Sequence, residues 1–198
     1  SSTYDVRGQQ LTSTDPNGKT TRYSYDAIGR LLAVSNPMGQ TTAYSYDLVG
    51  QLLSITDPKG HSTRFDYDAC GQQVKTTWAD DTFETLGYDL GGNLIRHAWS
   101  NSDVANASDD VVQAFYYDIM NRMSQAVYSD GTEYNYAYDV RGNLDTVKNA
   151  AGTILTDYAY DDRSRPTSIT NPYGQTVSYG YDANSNRTAM ATPAGTTS

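Results

Sequence analysis

The stretch from Tyr25 to Asp47 reads YDAIGRLLAVSNPMGQTTAYSYD, and it opens and closes on the same Tyr-Asp pair. That pair occurs nine times, at Tyr4, Tyr25, Tyr46, Tyr67, Tyr88, Tyr117, Tyr138, Tyr160 and Tyr181, with gaps of 21, 21, 21, 21, 29, 21, 22 and 21 residues. A fixed period of this kind means one supersecondary unit copied end to end. Four residues after each tyrosine stands a turn residue: Gly8, Gly29, Gly50, Gly71, Gly92, Asn121, Gly142, Ser164 or Ser185. A second turn falls near mid-repeat, at Asp15–Gly18, Asn36–Gly39, Asp57–Gly60, Ser129–Gly131 and Asn171–Gly174. Asp or Asn first, Pro second and Gly fourth is type I turn chemistry, with the glycine at φ > 0 starting the returning strand of a bulged hairpin.

Turns about every ten residues leave room for strands of about five or six residues and for no ordinary helix. Each repeat therefore reads as a two-stranded β-hairpin. Aromatic residues recur two apart at Tyr23/Tyr25, Tyr44/Tyr46, Phe65/Tyr67, Phe115/Tyr117, Tyr136/Tyr138, Tyr158/Tyr160 and Tyr179/Tyr181, with Leu86/Tyr88 in the same place. Residues i and i+2 of a strand share a face, so these pairs predict an aromatic stripe stacked across the sheet. Residues 1–198 read as a single all-β array of about nine hairpin repeats with an insertion near 100–109. About eighteen strands at ~4.8 Å would span on the order of 85 Å, and open twisted sheets wider than ~10 strands curl or close. The expected form is one coiled antiparallel sheet, a piece of a hollow shell. The turns built on Asn121, Ser164 and Ser185 are expected to be looser than the glycine turns, because non-glycine residues resist φ > 0.

Composition narrows the function classes. Tyrosines number 18 against 3 phenylalanines, the apolar fraction is 37%, and the formal charge is −9. No Lys/Arg cluster appears, so the chain carries no nucleic-acid footprint. It has no run of apolar residues long enough to span a membrane as a helix. The array starts at Tyr4 and runs out just short of a tenth Tyr-Asp, and neither end looks like a cap, so the sequence reads as part of a longer protein.

The segment YDxxGRLL at Tyr25–Leu32, followed by NPMGQTTAYSYD at Asn36–Asp47, resembles the RHS repeat, also called the YD repeat. The likeness covers essentially the whole chain, although the copies lose their proline after Cys70 and regain it only at Pro172. Bacterial RHS polymorphic toxins, the shell-forming components of insecticidal toxin complexes and the animal teneurins share this repeat. What the resemblance implies is a long hairpin strip that spirals into a shell, enclosing a C-terminal toxin in the bacterial members. The family's DPxxGRF-type segment for self-cleavage and a toxin domain do not appear in these residues, so the resemblance implies wall without cargo or protease.

Candidate chemistry is sparse. Cys70 is the only cysteine and sits at a variable turn position, which excludes disulfides within the chain. His61 and His97 are isolated, and His97 stands where earlier copies have Val34 and Ile55. A Cys70–His61 dyad on adjacent strands would lack a third orienting group. The repeated aspartates read as turn caps, not as calcium ligands. The acidic insertion with Asp103, Asp109 and Asp110 reads as a solvated loop, and Asn106 and Asn186 match a glycosylation sequon. No catalytic, cofactor or metal residue is assigned, and the chain is read as a non-enzyme. The leading class is a scaffold segment of a secreted or cell-surface RHS-repeat toxin. Its partners would be the rest of the parent protein and an enclosed toxin domain. The alternative is a module binding cell-surface carbohydrate or a receptor through flat aromatic faces.

Overall fold

The structure is a computed structural model and describes residues 1–100 and 111–197. Every regular element among the described residues is a β-strand. The chain forms two compact units, Ser1–Val111 and Val112–Ser198. The first holds β1 (Ser2–Tyr4), β2 (Gln10–Thr14), β3 (Thr20–Tyr25), β4 (Leu31–Ser35) and β5 (Thr41–Tyr46). It continues with β6 (Leu52–Thr56), β7 (Ser62–Tyr67), β8 (Gln73–Thr77), β9 (Phe83–Tyr88) and β10 (Leu94–Ser100). The second opens on β11 (Val111–Tyr117), then β12 (Met123–Tyr128), β13 (Glu133–Tyr138), β14 (Leu144–Asn149) and β15 (Ile154–Tyr160). β16 (Pro166–Thr170), β17 (Thr176–Tyr181), β18 (Arg187–Thr192) and β19 (Gly195–Thr197) complete it.

Within each unit every strand pairs antiparallel with the next in sequence, which is the meander that repeated hairpins dictate. The segment around the expected loop, with Asp103, Asp109, Asp110 and Asn106, lies outside the described residues, save that Ser100 ends β10.

Both kinds of turn have the same geometry. Gly29 N donates to Asp26 O at 3.1 Å and Asp26 N to Arg30 O at 2.9 Å, while Gly39 N donates to Asn36 O and Asn36 N to Gln40 O, each at 2.9 Å. This is a type I turn closed by a bulge, and the bulge appears as the register shift between Ser24 and Tyr25. Gly29, Gly50 and Gly142 take φ of 97°, 100° and 87°, as the sequence requires. Asn121, Ser164 and Ser185 also sit at positive φ, at 64°, 59° and 69°. Contrary to expectation, their turns are not looser: they close at 2.9, 3.0 and 3.1 Å, no longer than the 3.4 Å between Gly50 N and Asp47 O. The aspartate cap holds the geometry, so the left-handed conformation is an energetic burden without a broken bond.

The aromatic stripe needs correction. Tyr23 lies opposite Val34, Tyr44 opposite Ile55, Tyr136 opposite Val147 and Tyr158 opposite Ile169. A hairpin repeat puts the tyrosines on every second strand, so consecutive aromatic strands are two spacings apart, ~9.6 Å. The residues opposite these rings are aliphatic, and Thr76 lies opposite Phe65, so the stripe is not a stack of rings. It is also a single layer. Ala98 and Ala126, at 4% and 1% exposure, are the only buried apolar residues among the described ones.

Candidate functional site

The repeated chemistry collects along the edge formed by the Tyr-Asp turns. Asp has a short side chain that reaches back over its own turn, and each of the nine aspartates uses it that way. Asp26 Oδ1 accepts from Ile28 N at 3.0 Å and Arg30 N at 2.9 Å. Asp5, Asp47, Asp68, Asp89, Asp118, Asp139, Asp161 and Asp182 repeat the pattern. These groups are committed to the turn, which agrees with the reading of them as caps.

In seven of the repeats the tyrosine beside the aspartate has a role that the sequence did not reveal. Tyr46 Oη donates to Leu31 O at 3.0 Å, on the neighbouring strand. The β4–β5 ladder runs only from Ala33↔Ala43 to Ser35↔Thr41, so the Leu31 carbonyl lies beyond its end. The phenol supplies the donor that the ladder does not. Tyr25, Tyr67, Tyr88, Tyr138, Tyr160 and Tyr181 make the same bond to Gln10, Leu52, Gln73, Met123, Leu144 and Pro166, at 2.8–3.0 Å. The offset is 15 residues in every case but Tyr160, where the 22-residue repeat makes it 16. That constancy was the available signal, and reading it required the hairpin register.

The residue after the turn glycine ties one repeat to the next. Arg30 donates through Nε to Asp26 Oδ2 at 2.6 Å and through Nη1 to Asp47 O at 2.7 Å, and its guanidinium lies 4.9 Å from the Tyr46 ring centre. Arg165 repeats this with Asp161, Asp182 and the Tyr181 ring, and Arg122 holds Asp118 and the Tyr138 ring. Gln9 reaches Gly29 O at 2.9 Å, and from the position before the turn residue Arg141 and Arg163 reach Asp161 O and Ala183 O at 3.0 and 2.7 Å. Arginine suits this place because its fork can bind two acceptors and its plane can lie over a ring.

The charge chemistry follows. The Arg165 side-chain hydrogen bond holds the Asp161 carboxyl down at about 2, and Arg122 lowers Asp118 in the same way. The side-chain amides of Asn143 and Asn186 lower Asp139 and Asp182. A carboxyl lowered by folding contributes stability in full above its ordinary pKa of 3.8 and loses it as pH falls through about 2. The melting temperature should thus hold near neutral pH and drop between about pH 4 and pH 2. Asp161→Asn should flatten part of that drop, which a thermal melt series by circular dichroism would read.

The sequence candidates do not converge. Cys70 is exposed in the turn after β7, its N donating to Asp68 Oδ1 at 2.9 Å. His61 lies in the turn before β7, its Nδ1 3.0 Å from Asp57 Oδ2. The two residues are at opposite ends of one six-residue strand, about 20 Å long, and so are not on adjacent strands. His97 lies opposite Leu86 on the tyrosine-bearing face and pairs through Nε2 with Glu84 Oε2 at 2.8 Å. Among the described residues no group of His, Cys, Asp and Glu is placed to hold a metal ion, and no helix is long and apolar enough to cross a membrane. Asn186 donates through Nδ2 to Asp182 at 2.9 Å.

Comparison with known proteins gives one family and one set of folds. The family model described as RHS Repeat matches residues 4–37, 25–51, 46–82, 138–176 and 160–197. A search of curated proteins returns no match. Among solved structures, the TcdB2-TccC3-Cdc42 crystal structure superposes with a TM-score of 0.65 at 16% identity, covering 96% of this chain and 13% of that one. The TcdB2-TccC3-TEV crystal structure gives 0.58 at 20%, covering 97% and 12%. The Photorhabdus luminescens Tc holotoxin pore gives 0.59 at 20%, covering 96% and 12%. The chain thus spans about an eighth of the length of the structures it matches.

Proposed function

Because this chain belongs to the RHS repeat family, we propose that it is a wall segment of a secreted RHS-repeat toxin, part of a casing around a toxic domain carried elsewhere in the parent protein. The observation that carries this reading is how the repeated side chains are used. The Tyr-Asp aspartates hold their own turns, seven of the tyrosine hydroxyls bond backbone on the neighbouring strand, and Arg30, Arg122 and Arg165 clasp the following tyrosine ring. This is the chemistry of a strip that must keep its shape over many copies. Likeness in fold to Tc toxin structures supports it.

A casing also suits a sheet with so little buried apolar surface. Such a layer encloses space more readily than it packs around a core. In this role the protein is mechanical, not catalytic, and its partners are the rest of the parent chain and the enclosed domain. Electron microscopy of the purified parent protein should show a hollow particle with these repeats in its wall. A particle with solid density throughout, or an extended rod, would sink the proposal.

A further inference from the structure

The two margins of the first unit differ in chemistry. Its strands reverse at five Tyr-Asp turns, after β1, β3, β5, β7 and β9, and at four mid-repeat turns on the opposite margin. The mid-repeat tips carry Asn17, Lys59 and Asp80, the polar residues expected of a solvated turn, with Met38 as the apolar exception. The Tyr-Asp tips instead carry Val6, Ile28, Leu48, Val49 and Leu90, which are 74–110% exposed. Ala27, Ala69, Cys70 and Gly91 complete these tips, and Arg7 is the one charged residue among them. Just behind the tips, near the starts of the strands that leave them, Leu11, Leu32, Leu53 and Ile95 stand 38–39% exposed.

Neither the turns nor a core needs these apolar side chains, because the aspartate caps and the glycines at positive φ already fix the turn geometry. Together they put on the order of 1,000 Å² of apolar surface along one margin, against ~300–600 Å² for the largest patch of an ordinary monomer. That margin can also lose its water at little cost. Asp5, Asp26, Asp47, Asp68 and Asp89 each accept from the backbone N–H of the second tip residue in their own turn. Covering the tips therefore leaves none of those five donors unpaired.

We propose that the Tyr-Asp margin of the first unit docks against the same margin of a second copy of this chain. Alternate strands set the tips ~9.6 Å apart, so five of them span ~38 Å. A partner must offer apolar groups at that interval to meet more than one or two tips, and another copy offers them along the whole row. The contact is then isologous, with the two rows running in opposite directions about a two-fold axis. The longest overlap puts the axis at the third turn, beside Leu48 and Val49. Covering most of both margins removes on the order of 1,500 Å² from water, within the ~1,200–2,000 Å² of stable interfaces. With Arg7 the single charge among the tips of a chain carrying −9, the rows meet without opposing like charges at their tips. The inference goes beyond the wall reading, and stands or falls whether or not the strip encloses a toxic domain.

The test is sedimentation equilibrium of the whole chain at concentrations from about 1 to 100 μM. Two variants accompany it: the double change Leu48→Asp with Leu90→Asp, and Met38→Asp on the opposite margin. The unchanged chain and Met38→Asp should dimerise with a Kd of about 10 μM or tighter, and the double variant should raise that Kd about tenfold or more. Leu48 and Leu90 are fully exposed, so the double variant should melt with the unchanged chain when both are diluted to monomer, which separates loss of the contact from loss of the fold. A chain that stays monomeric to about 100 μM, a dimer that the double variant leaves intact, or one that Met38→Asp disrupts would each overturn the inference. So would a monomer that sediments with phosphatidylcholine vesicles, which would assign the apolar row to a lipid surface.

Discussion

Tyr46→Ala should destabilise the first unit by about 2–3 kcal/mol, and Tyr46→Phe by about 1 kcal/mol. The alanine change removes the ring that lies opposite the β6 strand, the Arg30 contact at 4.9 Å and the bond to Leu31 O at 3.0 Å. A large side chain fully buried would cost about 3–5 kcal/mol, and Tyr46 is only half-buried. The phenylalanine change removes the hydroxyl alone and leaves the Leu31 carbonyl without that donor. Urea unfolding followed by tyrosine fluorescence would give both values. If Tyr46→Phe is silent, the hydroxyl bond is not a structural tie; if it equals Tyr46→Ala, the ring contributes nothing.

Gly50→Val should destabilise by about 1–2 kcal/mol. Gly50 sits at φ 100°, and a Cβ added there would meet nothing within 4 Å. The penalty is then one of backbone conformation, with no clash to relax, and β-branching makes it worse. Ser164, at φ 59° in the equivalent turn, gives the opposite test. Ser164→Gly should be neutral or stabilising by about 0.5 kcal/mol, the left-handed penalty being partly offset by the greater freedom of unfolded glycine. A silent Gly50→Val or a harmful Ser164→Gly in the same melts would contradict the turn assignment.

What could be read from sequence was whatever a few adjacent residues determine. Asp26 through Gly29 fix a turn by themselves, so the period, the hairpins and the positive φ at Gly29 were all legible. Trp78–Asp81 was not, because cap and glycine are both missing and only the phase of the neighbouring copies could place a turn there. The tyrosine hydroxyl bond joins residues 15 apart and depends on where the ladder stops, which composition does not state. The i, i+2 spacing of the aromatic residues predicts a stack of rings, but the register places Val34 opposite Tyr23 and so makes the face alternate. A Cys70–His61 dyad on adjacent strands, weighed from the sequence and set aside for want of an orienting group, does not form, because β7 holds the two residues at its two ends.

The central claim is that these repeats are casing, and limited proteolysis of the intact parent protein tests it most directly. Increasing protease should be added to the native particle, with both the repeats and the domain they are proposed to enclose followed by mass spectrometry. The casing account predicts that the enclosed domain resists cleavage as long as these repeats remain intact, and is digested once acid below about pH 4 or a variant such as Tyr46→Ala has loosened the wall. Rapid digestion of that domain while residues 1–100 and 111–197 remain uncut would contradict it and leave the strip as a stalk or platform.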